Sequence, residues 1–230
     1  MIVQIVNFPG MLLYYFIMTV CILPEIHGVC VVFGLPSQFL ESGVDAIAFG
    51  RWLLVAEVPI LMNGIILKRG SQIELFSKLR MKKRKCFQAK MIVVCAVSGI
   101  IWVFALAMGV IKITGIKTAL QLIPLAVSNI LMWEAVQVMI YFLFKKAFWS
   151  GAVILLINGG SCTVGLYMKS IFRYMPAAWG MLCRSSLWQE PADEFMRYGY
   201  MIVANMIVSV ICVIITIKIE GDEPYGCNSY

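Results

Sequence analysis

Long apolar stretches recur along this chain and limit its possible folds more than any other feature. Six of them approach the roughly 20 residues that a helix needs to cross about 30 Å of hydrocarbon. They run over 10–31, 51–67, 91–111, 122–144, 147–167 and 200–217. Only 13% of the residues are charged, about half the share of a typical soluble protein. Because backbone groups inside lipid must bond to one another, the stretches predict helices, and the chain 1–230 predicts one all-α membrane domain with six transmembrane helices.

The distribution of Lys and Arg predicts how these helices are oriented. Of the 19 basic residues, 12 lie in the connections that follow the second, fourth and sixth stretches, and 7 lie in the opposite set of connections. By the positive-inside rule both termini and the loop 68–90 are cytoplasmic, and the segment 168–199 is external. No basic residue and no small-residue cleavage site accompanies the first stretch, so we expect no cleaved signal peptide.

Two carboxylates fall inside the predicted membrane helices. Glu57 and Glu134 each lie ten residues from the cytoplasmic end of their stretch, so both are near the midplane. A charge there costs a few kcal/mol and should face protein or water. Four amide side chains can supply hydrogen-bond partners: Asn129, Gln137, Asn158 and Asn205. We predict a polar path that includes Glu57, Asn129, Glu134 and Gln137; the alternative is that these groups only hold helices together.

Patterns typical of enzymes are largely missing from the sequence. His27 is the only histidine, which excludes metal sites that need two histidines, and no C-x-x-C pair occurs. In "GVIKITGIKT" five residues separate Gly109 from Gly115 and Ile116 follows, so the stretch is not a phosphate-binding loop. We therefore predict no catalytic residue and no metal. A membrane-embedded Cys protease that pairs His27 with Cys21 or Cys30 is an alternative.

One loop concentrates the positive charge of the chain. The stretch "SKLRMKKRKCFQAK" at 77–90 contains seven basic residues and no acidic one. Ile73, Phe76, Leu79 and Phe87 have spacings compatible with one stripe of a helix, which predicts an amphipathic cytoplasmic helix. One interpretation is an anchor on anionic headgroups, with each charge contributing about 1 kcal/mol near the surface.

A second interpretation comes from a resemblance. Arg80, Arg84, Phe87 and Lys90 form R-x-x-x-R-x-x-F-x-x-K. This resembles the basic R-x-x-x-R-x-x-W-x-x-K stretch between the second and third spans of small type 2 ABC exporter permeases associated with bacteriocin and lantibiotic export or immunity, with Phe87 in place of the usual Trp. The plan of six spans is also similar. The short turn after the fourth span is similar too. The long outer segment after the fifth span is also similar, and its sequence suits short half-inserted helices.

The resemblance implies a function for the basic loop. It would be the coupling helix, which contacts a separate ATPase subunit through six residues: Phe76, Leu79, Arg80, Arg84, Phe87 and Lys90. The implied protein is not itself an enzyme and holds no cofactor. ATP and Mg would be bound by the partner ABC ATPase, and a second permease, as a homodimer or a sibling, would complete the transporter.

The resemblance also implies a setting and a cargo. The chain would lie among the lipids of a bacterial cytoplasmic (plasma) membrane, would contact no nucleic acid, and would export a peptide or a lipid-like amphiphile. A membrane scaffold with no transport activity remains the other alternative, and it would need neither an ATPase nor a cargo path.

Overall fold

A computed structural model of the protein describes residues 116–144, 146–182, 185–187 and 196–219, together with single positions at 60, 64, 67, 99, 100, 103 and 111. Within these residues the regular structure is helical and no strand occurs; one isolated bridge pairs Ser185 with Met196. The prediction of an all-helical fold is therefore confirmed for this part of the chain. The first predicted span and the basic loop lie outside it, so the number of spans stays a prediction.

Helix α1 runs over Ile116–Phe144 and is 29 residues long. At 1.5 Å per residue it is about 43 Å long, which exceeds the hydrocarbon thickness of a bilayer. It begins six residues before the predicted fourth span. Pro124 lies inside it, where the missing N–H leaves the carbonyl of Leu120 without its usual helical donor. Such prolines are common in membrane helices, because neighbouring groups can bond to the freed carbonyl.

Helix α2 covers Ala147–Tyr167, the same bounds as the predicted fifth span. Lys146, in extended conformation, precedes it, so the turn from α1 is very short. Two short helices follow, α3 over Lys169–Phe172 and a 3-10 helix over Pro176–Gly180. Phe172, Ala177 and Ala178 are buried. The segment between α2 and the last helix thus folds back onto the helices, and the 3-10 helix packs against α1, α2 and the last helix.

Helix α4 covers Tyr198–Ile219 and packs mainly against α1. Two hydrogen bonds fix their relative direction. Tyr198 Oη donates to the carbonyl of Gln121 at 2.8 Å, and Asn205 Nδ2 donates to Ser128 Oγ at 3.1 Å. Both bonds join residues 77 positions apart, so α1 and α4 are parallel. The chain must therefore return along the bundle between them, and α2, about 32 Å long at 1.5 Å per residue, provides that length.

The exposure pattern of α4 is the reverse of that of a helix in a water-soluble protein. Its buried side is small or polar, with Asn205, Ser209, Cys212 and Thr216 at helical spacing. Its outward side is apolar: Val203, Met206, Ile207, Val210, Ile211, Ile214, Ile215 and Ile217 are exposed. Small residues between helices and large aliphatic residues outside are typical of helices that pack in lipid. Helices α1 and α4 are both long and apolar enough to cross a membrane.

Charged and aromatic side chains gather at the two ends of these helices. Lys117 and Arg197 are exposed where α1 and α4 begin, and Lys146 and Lys218 are exposed where they end. Exposed aromatic residues lie at the same two levels: Phe144, Phe148 and Trp149 at one, Tyr174 and Tyr200 at the other. Basic and aromatic side chains at these positions can reach the headgroups of a bilayer. The two apolar helices together with this distribution indicate a membrane location.

Candidate functional site

A polar junction joins α1, α4 and the 3-10 helix. At its centre is Asn205, whose side chain is fully buried. Its Nδ2 donates to Ser128 Oγ at 3.1 Å and to the carbonyl of Trp179 at 3.2 Å. Ser128 Oγ in turn donates to the carbonyl of Leu125 at 2.8 Å. The 3-10 helix is therefore tied to both long helices through one amide group.

These bonds also establish how far the segment between α2 and α4 reaches along α4. Asn205 is seven residues after Tyr198, the first residue of α4, and is therefore about 10 Å farther along the helix axis. The carbonyl of Trp179 lies at that level. Its indole Nε1 donates to the carbonyl of Arg173 at 3.1 Å, which closes the segment on itself. The Trp179–Gly180 peptide thus lies beside α1 and α4 about 10 Å along α4 from its first residue.

Asn129 lies against the same peptide from the α1 side. A Cβ built on Gly180 would lie 2.6 Å from Oδ1 of Asn129 and 2.7 Å from its Cγ. Contacts this short do not occur, so a Cβ at 180 would force the Asn129 side chain to move, and the close approach of the 3-10 helix to α1 as it stands favours a glycine at 180. Two asparagine amides, one from each long helix, therefore border a single peptide unit.

Glu134 is buried on α1 with a relative exposure of 3%. Its carboxylate contacts Gly99, which belongs to the predicted third span: a Cβ on Gly99 would overlap Oε1 of Glu134 and would lie 2.5 Å from Cγ2 of Ile130. The absence of a side chain at Gly99 thus lets that backbone approach the carboxylate. Glu134 is the only acidic residue in the described part of the chain.

Gln137 is buried and forms a contact with the predicted second span. Its Nε2 donates to the carbonyl of Ile60 at 2.7 Å. Ile60 is itself buried beside Met132, Trp133 and Ile154. The amide of Gln137 therefore holds two predicted spans together within an apolar cluster.

The predicted polar path is only partly one surface. Glu134 and Gln137 are three residues apart and lie on neighbouring parts of α1. Asn129 precedes Glu134 by five residues, so at 100° per residue their side chains leave the axis about 140° apart. Asn129 belongs instead to the junction with Asn205 and Gly180. Two other parts of the prediction lie outside the described residues. They are Glu57 and the six predicted coupling residues Phe76, Leu79, Arg80, Arg84, Phe87 and Lys90.

Four members of the junction are not among the predicted site residues: Asn205, Ser128, the carbonyl of Trp179 and Gly180. Asn205 has a sequence signal, since it is an amide within a strongly apolar stretch, and the sequence analysis names it as a hydrogen-bond partner only. Ser128 had a weaker signal, because a serine in an apolar helix usually bonds to its own backbone. A backbone carbonyl has no sequence signal.

Most other hydroxyl groups of these helices do return to their own backbone. Each donates to the carbonyl four residues earlier: Ser161, Thr163, Ser209 and Thr216, at 2.6–2.9 Å. Their hydrogens are thus used within the helix, and only their oxygen lone pairs remain to accept a further bond. The part of the chain that the structure describes contains no cluster of three or more His, Cys, Asp or Glu side chains. The side chains described around Asn129 and Asn205 are amides and a hydroxyl, which form hydrogen bonds.

Compared with protein families, with curated proteins and with solved structures, the chain gives no match.

Proposed function

We propose that this protein is a membrane permease subunit of an ATP-driven exporter of the type 2 ABC class, with a peptide or an amphiphilic lipid-like molecule as cargo. ATP hydrolysis takes place on a separate ATPase subunit, and two permease subunits form the pathway. The chain lies in a bacterial cytoplasmic membrane with both termini in the cytoplasm. The basic loop at 68–90 is the coupling element.

The observation that carries this proposal is the re-entrant outer segment. Two short helices, Lys169–Phe172 and Pro176–Gly180, lie between α2 and α4. The second is held by Asn205 about 10 Å beyond the start of α4. The resemblance implies short half-inserted helices in this interval, after the fifth span and before the sixth. Irregular backbone at membrane depth occurs where it is buried in protein or lines a cavity, and a segment in this position is compatible with a transport path.

The polar groups inside the bundle support the same proposal. Glu134 and Gln137 lie at the level where α1 meets the predicted second and third spans. Buried ionisable groups in a membrane helix often mark a substrate path. Glu134 and the Asn129–Asn205 junction lie at successive levels of the same bundle, so polar groups accompany much of its depth.

The test separates membrane anchoring from contact with an ATPase. The tagged wild-type chain, purified from its native membrane in mild detergent, should bring an ABC ATPase with it, identified by mass spectrometry. The combined variant Arg80→Lys, Arg84→Lys and Phe87→Ala keeps every charge, so its insertion should not change. It removes the planar guanidinium groups that bind carboxylates and an apolar anchor worth about 2 kcal/mol or more at an interface, so it should lose the ATPase.

A matched control changes three residues outside the proposed contact and likewise keeps every charge. Lys82→Arg, Lys83→Arg and Lys85→Arg should keep the ATPase, because these residues are not part of the R-x-x-x-R-x-x-F-x-x-K stretch. If the variant and the control bind the ATPase equally well, the loop is only an anchor. If the wild-type chain brings no ATPase at all, the proposed function is wrong.

A further inference from the structure

The Trp179–Gly180 peptide unit is bound by the protein much as a ligand would be. The carbonyl of this unit accepts a hydrogen bond from Asn205, and the glycine lies against the amide of Asn129. Both asparagines belong to long apolar helices, and Asn205 is fully buried. The segment that carries the peptide unit is a 3-10 helix of five residues, Pro176–Gly180. Two amides on long helices thus border a peptide unit that belongs to a short one.

The orientation of the Asn205 amide is determined by its partners. The carbonyl of Trp179 can only accept, and the hydrogen of Ser128 Oγ is already donated to Leu125. Nδ2 of Asn205 must therefore face both groups, and Oδ1 faces away from them. Among the described residues neither Oδ1 of Asn205 nor Nδ2 of Asn129 has a hydrogen-bond partner, although both atoms are buried.

One buried acceptor and one buried donor therefore remain unused in the junction. A peptide unit offers the complementary pair, one N–H and one C=O. Buried polar atoms without partners cost free energy that a molecule bearing both groups would recover. The Trp179–Gly180 unit bonds to Nδ2 of Asn205 and leaves Oδ1 of Asn205 and Nδ2 of Asn129 unused. Another peptide backbone can therefore compete with it for the two amides.

We propose that Asn129 and Asn205 form a binding site for the backbone of a peptide, and that the Trp179–Gly180 unit occupies this site as an internal substitute that the peptide displaces. The inference rests on the proposed function, because it names a peptide as the cargo of the permease. Glycine at 180 is the specificity feature of the site: next to Asn129 there is no space for a Cβ. Displacement withdraws the 3-10 helix from between α1 and α4 and opens the outer end of the bundle.

The test follows the exposure of Met181, which is fully buried next to this peptide unit. A variant without the eight native cysteines and with Met181→Cys is purified in detergent, and its reaction with a maleimide is timed. The probe is the chain's own segment 173–182, RYMPAAWGML, synthesised with blocked ends. Added in excess, it should raise the labelling rate about fivefold, the factor that corresponds to one hydrogen bond of typical net strength.

The control peptide differs by one methyl group. The same peptide with Gly180→Ala should leave the rate unchanged, because its Cβ would lie 2.6 Å from Oδ1 of Asn129. In a protein with Asn129→Ala that space becomes free, so the altered peptide should then raise the rate. The protein with Asn205→Leu should be labelled faster without any peptide and should not respond to the probe.

Two results would overturn the inference. One is a labelling rate that the RYMPAAWGML peptide does not change. The other is an equal rise with both peptides, which would mean that the amides recognise no backbone. The labelling assay uses neither an ATPase nor transport, so it can fail independently of the proposed function. A protein that binds its ATPase but whose labelling rate does not change with the peptide would be a permease without this site. A protein that binds no ATPase but is labelled faster with the peptide would have the site without the proposed function.

Discussion

The contact between Gly99 and Glu134 allows a stability prediction with a magnitude. In Gly99→Ala the new Cβ would overlap Oε1 of Glu134 and would lie 2.7 Å from its Cδ and 2.5 Å from Cγ2 of Ile130. Overpacking of this kind costs about 1–3 kcal/mol. The higher helix propensity of alanine offsets up to about 1 kcal/mol. We therefore expect a net loss of about 0–2 kcal/mol and a Tm lower by up to about 8 °C for a chain of this size.

The assay heats the purified protein in detergent and measures by gel filtration how much of it stays monodisperse. Gly160→Ala is the matched control, because nothing lies within 4 Å of a Cβ at that position of α2. This control should keep the wild-type Tm or exceed it, since alanine favours the helix by about 1 kcal/mol.

A double-mutant cycle shows whether the carboxylate is the cause. Glu134→Ala removes two of the three atoms that the new Cβ would meet and leaves Cγ2 of Ile130, so Gly99→Ala should cost less in that background than in the wild type but should still cost something. Contacting residues typically show interaction energies of about 0.5–3 kcal/mol in such cycles. If Gly99→Ala and Gly160→Ala give the same Tm, or if the two changes at 99 and 134 are additive, the packing described for α1 and the predicted third span is wrong.

Three other predictions concern topology, the carboxylate and the contact with the second span. A cysteine at 77 should react only from the cytoplasm, and a cysteine at 186, where the native Ser186 is exposed, should react only from outside. If an impermeant reagent labels position 77 in intact cells, the predicted orientation of the helices is inverted. Glu134→Gln removes a potential charge from the bilayer centre, so insertion should be normal or better while transport falls. If this variant transports at the wild-type rate, the carboxylate only holds helices together. Gln137→Leu should lower the stability by about 0.5–1 kcal/mol through the lost bond to Ile60, whereas an unchanged Tm would show that this bond contributes nothing.

The long helices could be predicted because hydropathy reports which residues face lipid. The bounds of α2 are those of the predicted span, Ala147–Tyr167. Helix α1 begins six residues earlier than predicted, at Ile116, because the first turns, with Lys117 and Gln121, are too polar to count as hydrocarbon and yet continue the helical hydrogen bonds. Helix α4 extends two residues beyond its predicted span at each end. Hydropathy thus identifies the lipid-facing part of a helix and not its ends.

The functional junction was harder to predict, because it depends on which helices face one another. Asn129 and Glu134 were predicted as members of one path, and their divergence follows from helix geometry once the neighbours are known. That Asn205 bonds to Ser128 rather than to a carboxylate depends on the register of α1 against α4, a long-range property. Ser185, which is external by the charge rule, is buried and bonded to Leu182, so Ser186 is the better reporter position.

The location of the ATPase tests the central claim most directly. ATP hydrolysis is measured first on the purified chain alone and then on the complex isolated with its ATP-binding partner. The account predicts no hydrolysis by the chain alone, because it has no phosphate-binding loop, and steady hydrolysis by the complex that falls when Arg80→Lys, Arg84→Lys and Phe87→Ala are combined. Hydrolysis by the isolated chain, free of contaminating ATPase, would contradict the assignment as a permease subunit.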